Sequence, residues 1–184
     1  DQFMGMDFEE CVELVEGKII TMGWNNFTHA TLVVWLGHVL RIWADEKDWG
    51  FISGGDTGVL TRDSEPATAR GADVACISFQ RYQAVTRKGK ILDVGPELII
   101  EVVSPSNVWN DIQNKLIEYF AIGTDEVWLV SPEHRSVTVY TQPKESRTFT
   151  AADGEVVKTP QLPGFELSLT EMSQLIDRIG EAAE

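Results

Sequence analysis

The sequence has few cysteines, no long apolar run and no export signal at the amino end as given. Its two cysteines, Cys11 and Cys76, form neither a CxxC pair nor a disulfide framework. No apolar stretch reaches the roughly 18 residues of a membrane span, and Glu101 interrupts the apolar run at 98–103. The amino end lacks the basic and then apolar segments typical of secretion. We therefore expect a reduced, cytoplasmic protein that does not enter a membrane.

Positive charge is also scarce. The 184 residues include 15 Lys and Arg against 29 Asp and Glu, which gives a net charge of −14. Nucleic-acid affinity comes largely from Lys and Arg side chains at phosphates, so the charge alone argues against a nucleic-acid-binding module. It leaves room for a metal-dependent nuclease, because such a site needs carboxylates and a bound cation partly neutralises them.

Short apolar runs alternate with amphipathic segments along the chain. The hydrophobic content of 43% is that of a globular protein, and a chain of this length most simply forms one domain, residues 1–184. A hairpin is predicted around Glu16 and Gly17, and a loop at 63–71. Predicted strands cover 57–61, 73–78, 97–103, 126–131 and 136–141, and predicted helices cover 28–47, 110–121 and 170–180. This alternation indicates an α/β fold with a mixed sheet flanked by helices.

Two carboxylates stand out in the central strands. Glu101 lies inside the apolar run at 98–103, where an unpaired charge is costly unless it is neutralised. Asp73 opens the run at 73–78. Carboxylates at the ends of adjacent strands repel unless a cation lies between them, and oxygen ligands favour Mg²⁺ or Mn²⁺ over zinc. The alternative is that Glu101 pairs with an arginine such as Arg70, and that Asp73 only caps a turn.

Lys115 is the third candidate for chemistry. It follows Glu101 by 14 residues, on the helix after the turn at 104–106. Because it borders the apolar face of that helix, its ammonium could reach the strand ends and stabilise negative charge at a phosphate. The alternative is an exposed ion pair with Asp111, four residues earlier.

Two further residues are weaker candidates. His29 lies in the first turn of the first long helix, where a contact with the site and a purely structural role are both open. Trp109 follows the turn at 104–106, so it is either exposed for stacking on a base or part of the core.

The segments that carry these residues resemble the Uma-two family of restriction-endonuclease-like proteins. The matching segments are Gly71-Ala72-Asp73-Val74, PELIIEVVSPS at 96–106, and the spaced Asp111, Lys115 and Tyr119. The resemblance continues through EVWLV at 126–130, ELVEG at 13–17 and LPGF at 162–165. It therefore spans nearly the whole chain.

The resemblance implies a core of the PD-(D/E)XK nuclease superfamily, a mixed sheet flanked by helices. It also implies that Asp73 and Glu101 are Mg²⁺ ligands. Val103 stands where the superfamily motif has a lysine, and the resemblance implies that Lys115 of the following helix replaces it. Ala72 stands where the motif has proline, a residue that shapes the backbone and takes no part in the chemistry.

Two candidate substrate-binding residues come from the same resemblance. Arg70 matches an arginine that would contact a phosphate or brace Glu101. His29 matches a histidine that opens the first long helix, and the resemblance assigns it no definite role.

The sequence thus predicts an endonuclease that uses Mg²⁺ or Mn²⁺ to hydrolyse phosphodiester bonds. Its expected partner is nucleic acid, DNA before RNA, and a homodimer would allow both strands to be cut. One alternative is a catalytically silent family member that acts as a protein-binding or regulatory domain, which the negative charge favours. Another is a metal-dependent hydrolase with a smaller substrate.

The charge around the site should separate the enzyme from the silent domain. A basic rim around Asp73 and Glu101 would favour the enzyme, and an acidic rim would favour the silent domain. The candidate rim residues are Arg62, Arg70, Arg81, Arg87, Lys88 and Lys90.

Overall fold

The structure is a computed structural model that describes residues 11–104 and 108–181. Its strands are β1 Val12–Val15, β2 Lys18–Thr21, β3 Gly50–Arg62, β4 Thr68–Ser78, β5 Leu98–Val102, β6 Glu126–Ser131, β7 Ser136–Gln142, β8 Glu145–Thr150, β9 Val156–Val157 and β10 Leu167–Ser168. Its helices are α1 Phe27–Lys47, α2 Phe79–Tyr82, α3 Trp109–Ala121 and α4 Leu169–Glu181. No helix in the described part of the chain is long and apolar enough to cross a membrane.

One mixed sheet organises the chain, as the sequence predicted. Its strand order is β2-β1-β4-β5-β6-β7-β8, and β3 pairs with β4 beside this path. Strands β5 and β6 run parallel, and the neighbouring pairs described on either side of them are antiparallel. The predicted hairpin is β1–β2, whose turn residues Glu16 and Gly17 both have positive φ, 49° and 75°. These angles match the turns that suit a right-twisted hairpin.

The sheet is covered on both faces. Leu98, Ile100 and Val102 of β5 pack in the core cluster that includes the buried leucines of α1. Ile99 packs in the other cluster, which includes Leu116 and Tyr119 of α3. Successive side chains of a strand point to opposite faces, so Glu101 shares the face of Ile99 and points towards α3.

Several predicted boundaries are corrected by pairing and capping. Helix α1 begins at Phe27, because the side chain of Asn26 caps it by accepting the His29 backbone N–H. The last four residues of the predicted loop at 63–71 belong to a strand, because β4 begins at Thr68 and pairs with the end of β3. The predicted strand at 57–61 is longer at its start, because β3 begins at Gly50 and continues through a bulge where the register shifts between Gly54 and Thr57. Residues 105 and 106 of the predicted turn after β5 lie outside the described residues.

Candidate active site

A pocket of about 470 Å³ opens where the sheet meets the start of α1 and the first turns of α3. The segment Met22 to Asn25, which joins β2 to α1, and one face of α3 both contribute to its lining. The ionisable side chains that line it are Glu13, His29, Asp56, Asp73, Glu101, Asp111 and Lys115, with Tyr119 and Cys11. All three predicted site residues are therefore in the same pocket.

The antiparallel pairing of β4 and β5 brings the two predicted ligands together. Val74 faces Ile100 in the last described pair of these strands. Asp73 precedes Val74 and Glu101 follows Ile100, so both lie at the same end of the pair. The prediction that the two carboxylates are neighbours is consistent with this register.

The Asp73 carboxylate is buried and held from two sides. Its Oδ2 atom accepts the backbone N–H of Val102 at 2.7 Å and lies 3.1 Å from Nε2 of His29. Burial lowers the pKa of His29, but the hydrogen bond and the charge of Asp73 outweigh it and raise the pKa overall. His29 therefore orients a site carboxylate, while its Nδ1 atom is buried and has no hydrogen-bond partner among the described residues.

The Glu101 carboxylate is shared between two residues of α3. Its Oε1 accepts the Tyr119 hydroxyl at 2.7 Å, and its Oε2 lies 3.6 Å from Nζ of Lys115. Burial, helped by the charge of Asp73, outweighs the lowering effects of Lys115 and Tyr119, so that the pKa of Glu101 rises to about 7. In these contacts Glu101 is paired with Lys115 and Tyr119, and not with Arg70 as the alternative had it.

The Lys115 ammonium points into the site and away from solvent. Its Nζ lies 2.9 Å from Oε1 of Glu13 and donates to the Gly71 carbonyl at 3.2 Å. The neighbouring carboxylates of Glu101 and Glu13 raise its pKa against the effect of burial. The alternative in which Lys115 pairs with Asp111 on the helix surface is wrong, because Asp111 contacts Arg70 instead.

Arg70 is buried, and its guanidinium is occupied by three carboxylates. It forms a two-bond pair with Glu118 at 2.7 and 2.9 Å. It also contacts Glu13 at 3.0 Å and Asp111 at 3.3 Å. Arg70 thus braces the residues around Lys115, and the described contacts do not join it to Glu101 as the sequence suggested.

The basic rim that would favour the enzyme is not found in the described part of the chain. None of the six candidates lines the pocket, where five carboxylates accompany one lysine and one histidine. Arg81 pairs with Asp125 at 2.7 Å, and Arg87 lies 3.2 Å from Asp63. Arg81 also donates to the Gly95 carbonyl, which precedes β5, whereas Glu101 is at the other end of that strand. The rim is acidic.

Two tryptophans, one lining the pocket and one at the start of α3, are exposed. Trp24 lines it and is fully exposed, and Trp109 is 58% exposed at the start of α3. Trp109 is therefore exposed and not part of the core, and Trp24 is a second exposed tryptophan that the sequence did not single out.

Two acidic residues of the pocket were missed by the sequence analysis. Glu13 lies in the first strand of the hairpin and is 3% exposed. Asp56 lies in the bulge of β3 with φ of 60°, and burial and the charge of Asp73 raise its pKa. A carboxylate flanked by Val12 and Leu14 in a strand was the available signal for Glu13. Asp56 sits in a Gly-Gly-Asp segment, which indicated only a turn.

The chemistry of Asp73 and Glu101 suits a hard divalent cation. Within residues 11–104 and 108–181, no three His, Cys, Asp or Glu side chains are grouped so as to hold a metal ion. Mg²⁺ is commonly bound by one or two carboxylates with water and substrate phosphate in its other positions. A cation beside Glu101 would also favour the ionised form that burial opposes. The two carboxylates are therefore of the ligand type that the predicted cation takes, and the cation stays a prediction.

Comparisons with known proteins agree on fold and family. The family model Uma2, described as "Putative restriction endonuclease", matches residues 2–170. A solved structure from Anabaena variabilis ATCC 29413, described as "a putative nuclease belonging to DUF820", matches with a TM-score of 0.80 at 18% identity, covering 95% of this chain and 96% of that chain. No curated protein matches. The similarity confirms a restriction-endonuclease-like fold.

Proposed function

The chain belongs to the Uma2 family, and from that premise we propose that it is an endonuclease that hydrolyses phosphodiester bonds in DNA with Mg²⁺ or Mn²⁺. One observation carries this proposal. Two carboxylates from adjacent strands and a buried lysine from the next helix meet in one pocket, with Lys115 Nζ 3.6 Å from Glu101 Oε2. This combination of an acidic pair and an ammonium is what phosphoryl chemistry needs.

The two carboxylates would hold the cation. Once bound, a divalent cation lowers the pKa of a coordinated water and polarises a phosphoryl oxygen. Asp73 is oriented for this role by Val102 N–H and by His29. Glu101 is oriented by the Tyr119 hydroxyl. Both side chains are thus fixed by neighbours before any ligand arrives.

Lys115 would act on the substrate. Among the described residues that line the pocket, Lys115 is the one lysine. Close to Glu101, it can orient an attacking water or offset the negative charge that develops on the phosphate in the transition state. Because Lys115 is buried, its charge is screened less than that of a surface lysine.

A second candidate function is supported by the charge of the pocket. Five carboxylates line it, and Arg62, Arg81 and Arg87 pair with other carboxylates. Such an acidic lining repels a polyanion. It favours a silent family member that binds a protein partner at this surface.

Cleavage assays separate the two functions. Supercoiled plasmid, linear duplex, single-stranded DNA and RNA would be incubated with Mg²⁺, with Mn²⁺ and with EDTA. We expect cleavage of DNA that needs the metal and that Asp73→Asn abolishes. Asp45→Asn is the matched control, because it makes the same change at an exposed carboxylate of α1. A wild-type protein that cuts none of these substrates, or an Asp73→Asn variant as active as wild type, would overturn the proposal.

A further inference from the structure

We propose that Glu13 is a positioning residue for Lys115, so that the amino-terminal hairpin completes the active site. This inference rests on the proposed endonuclease function. Oε1 of Glu13 lies 2.9 Å from Nζ of Lys115, nearer than Oε2 of Glu101 at 3.6 Å. Glu13 belongs to β1 and Lys115 to α3, so the contact joins two elements far apart in the sequence.

The surroundings of the ammonium explain why it needs a positioning partner. A lysine side chain has a flexible four-carbon stem and three N–H donors. Here the Nζ atom has three oxygen atoms within reach, on Glu13, on the Gly71 backbone and on Glu101. Without Glu13, Glu101 would be the one carboxylate left among these three partners, and the ammonium would move towards it. That shift would misplace the charge and occupy an oxygen needed by the metal.

Glu13 is itself held rigidly. Its Oε1 accepts the Gly71 backbone N–H at 3.0 Å, and its Oε2 accepts from Arg70 at 3.0 Å. Burial raises the pKa of Glu13, but Lys115, Arg70 and the Gly71 N–H outweigh it and lower the pKa overall. The carboxylate is therefore ionised and fixed between strand β4 and the ammonium.

A purely structural role for Glu13 makes a different prediction, and the chain offers a control for it. Glu13 could serve only to neutralise the buried Arg70. Glu118 does this as well, through two hydrogen bonds to the same guanidinium. The described contacts of Glu118 are with Arg70 and Thr61, and it does not line the pocket. Glu118→Gln thus removes a carboxylate partner of Arg70 and leaves Lys115 untouched.

The first experiment measures kcat and KM for Mg²⁺-dependent DNA cleavage. We expect Glu13→Gln to lower kcat by about 10- to 100-fold with little change in KM, because a displaced catalytic group mainly affects the transition state. Glu118→Gln should change kcat by less than about threefold. Glu13→Gln should have no further effect in a Lys115→Ala background. If Glu13→Gln does not fold, Glu13→Asp serves in its place, since it keeps the charge beside Arg70 and shortens the reach to Lys115.

Two outcomes would overturn the inference. Equal losses of kcat in Glu13→Gln and Glu118→Gln would mean that Glu13 acts by bracing Arg70. An undiminished loss in the Lys115→Ala background would mean that Glu13 does not act through Lys115.

A second measurement does not depend on cleavage. Urea unfolding of wild type, Glu13→Gln, Lys115→Ala and the double variant gives the coupling between the two side chains. We expect the double variant to unfold at a higher urea concentration than additivity of the single losses predicts. Additive losses would refute the contact even in an active enzyme. If the protein cuts no DNA but the two side chains are clearly coupled, the endonuclease function and the catalytic part of the inference are refuted. The contact between Glu13 and Lys115 would still be confirmed in that case.

Discussion

The hydroxyl of Tyr119 donates a hydrogen bond to Oε1 of Glu101 at 2.7 Å, one helical turn beyond Lys115. Residues four apart on a helix lie on the same face, so α3 presents a donor and a cation to the two oxygens of one carboxylate. Burial raises the pKa of Glu101, and both groups of α3 oppose that rise.

Replacing Tyr119 by Phe should move the pH dependence of cleavage. The Tyr119 hydrogen bond lowers the pKa of Glu101, which burial raises to about 7. Losing that bond raises the pKa further, so a higher pH is needed to ionise the carboxylate as a ligand. We expect the acid limb of the kcat/KM profile to shift to higher pH in Tyr119→Phe. Tyr82→Phe, a change at a tyrosine that does not line the pocket, should leave the profile in place. An unchanged acid limb in Tyr119→Phe would remove Tyr119 from this role.

Metal binding should depend on Asp73. We expect Mn²⁺ titration by calorimetry to show a site in the wild type that is lost or strongly weakened in Asp73→Asn. Because the ion would bind the folded form, saturating Mn²⁺ should also raise the Tm of the wild type and not that of the variant. Asp45→Asn should behave like wild type. Identical binding by wild type and Asp73→Asn would show that the ion does not use this carboxylate.

In metal-free buffer, Glu101→Gln should stabilise the fold above neutral pH. The pKa of Glu101 is about 7 in the folded protein, against an ordinary value of 4.5. Between these values the folded state binds more protons than the unfolded state, so the free energy of unfolding falls as pH rises through this window. Glutamine removes that decline. Relative to wild type, we expect the free energy of unfolding of Glu101→Gln to be higher at pH 8 than at pH 5 by on the order of 1–3 kcal/mol, from about 1.4 kcal/mol per pKa unit.

Urea unfolding at both pH values checks this difference. Glu166→Gln, at an exposed carboxylate paired with Lys158, is the control and should show no such pH-dependent gain. A Glu101→Gln variant whose relative stability is the same at pH 5 and pH 8 would contradict the raised pKa.

The carboxylate pair was predictable from the sequence because its signal is local. A glutamate inside LIIEVV interrupts a buried strand and requires partners wherever the strand lies. The hairpin was predictable for the same reason, since Glu16-Gly17 between alternating residues specifies a turn. To predict that Asp73 and Glu101 lie close together, it was enough to infer also that their strands are neighbours in the sheet.

The partners of Lys115 and Arg70 could not be predicted in this way. Local spacing indicated an ion pair between Asp111 and Lys115. In the structure, Asp111 pairs with Arg70, and Lys115 pairs with Glu13. Each choice depends on how β1 and α3 approach β4, which no short segment encodes. The place of the basic residues relative to the pocket could not be predicted for a related reason. The segment from Arg81 to Lys90 follows β4, and it leads away from the end of the sheet that holds Asp73.

The basic segment should contribute little to cleavage. Among its residues, Arg81 and Arg87 are paired with carboxylates, and neither Lys88 nor Lys90 lines the pocket. We expect Lys88→Gln combined with Lys90→Gln to change kcat/KM by less than about threefold at 100 mM salt. The slope of log affinity against log salt should change by less than the value of one phosphate contact, which is about 0.9 on duplex DNA. A larger loss would show that DNA extends across this end of the sheet.

The lysine of α3 can be tested by moving it to the strand. Lys115→Ala should remove most cleavage and leave Mn²⁺ binding intact, because no proposed ligand is lost. Val103 lines the pocket two residues after Glu101 and on the same face of the strand. Val103→Lys in the Lys115→Ala background should therefore restore part of the activity by returning an ammonium close to Glu101.

Recovery should be incomplete, because a displacement of about 1 Å can cost on the order of a hundredfold in rate. Val103→Arg in the same background is a useful comparison, since its bulkier planar cation fills the position with different geometry. A fully active Lys115→Ala would show that the ammonium takes no part in the reaction. A Lys115→Ala that loses its structure by circular dichroism would instead make the lysine a counter-charge for Glu13 and Glu101. Restored folding without restored cleavage in the Val103→Lys variant would support that structural role, because a charge near the two carboxylates would then suffice and its exact position would not.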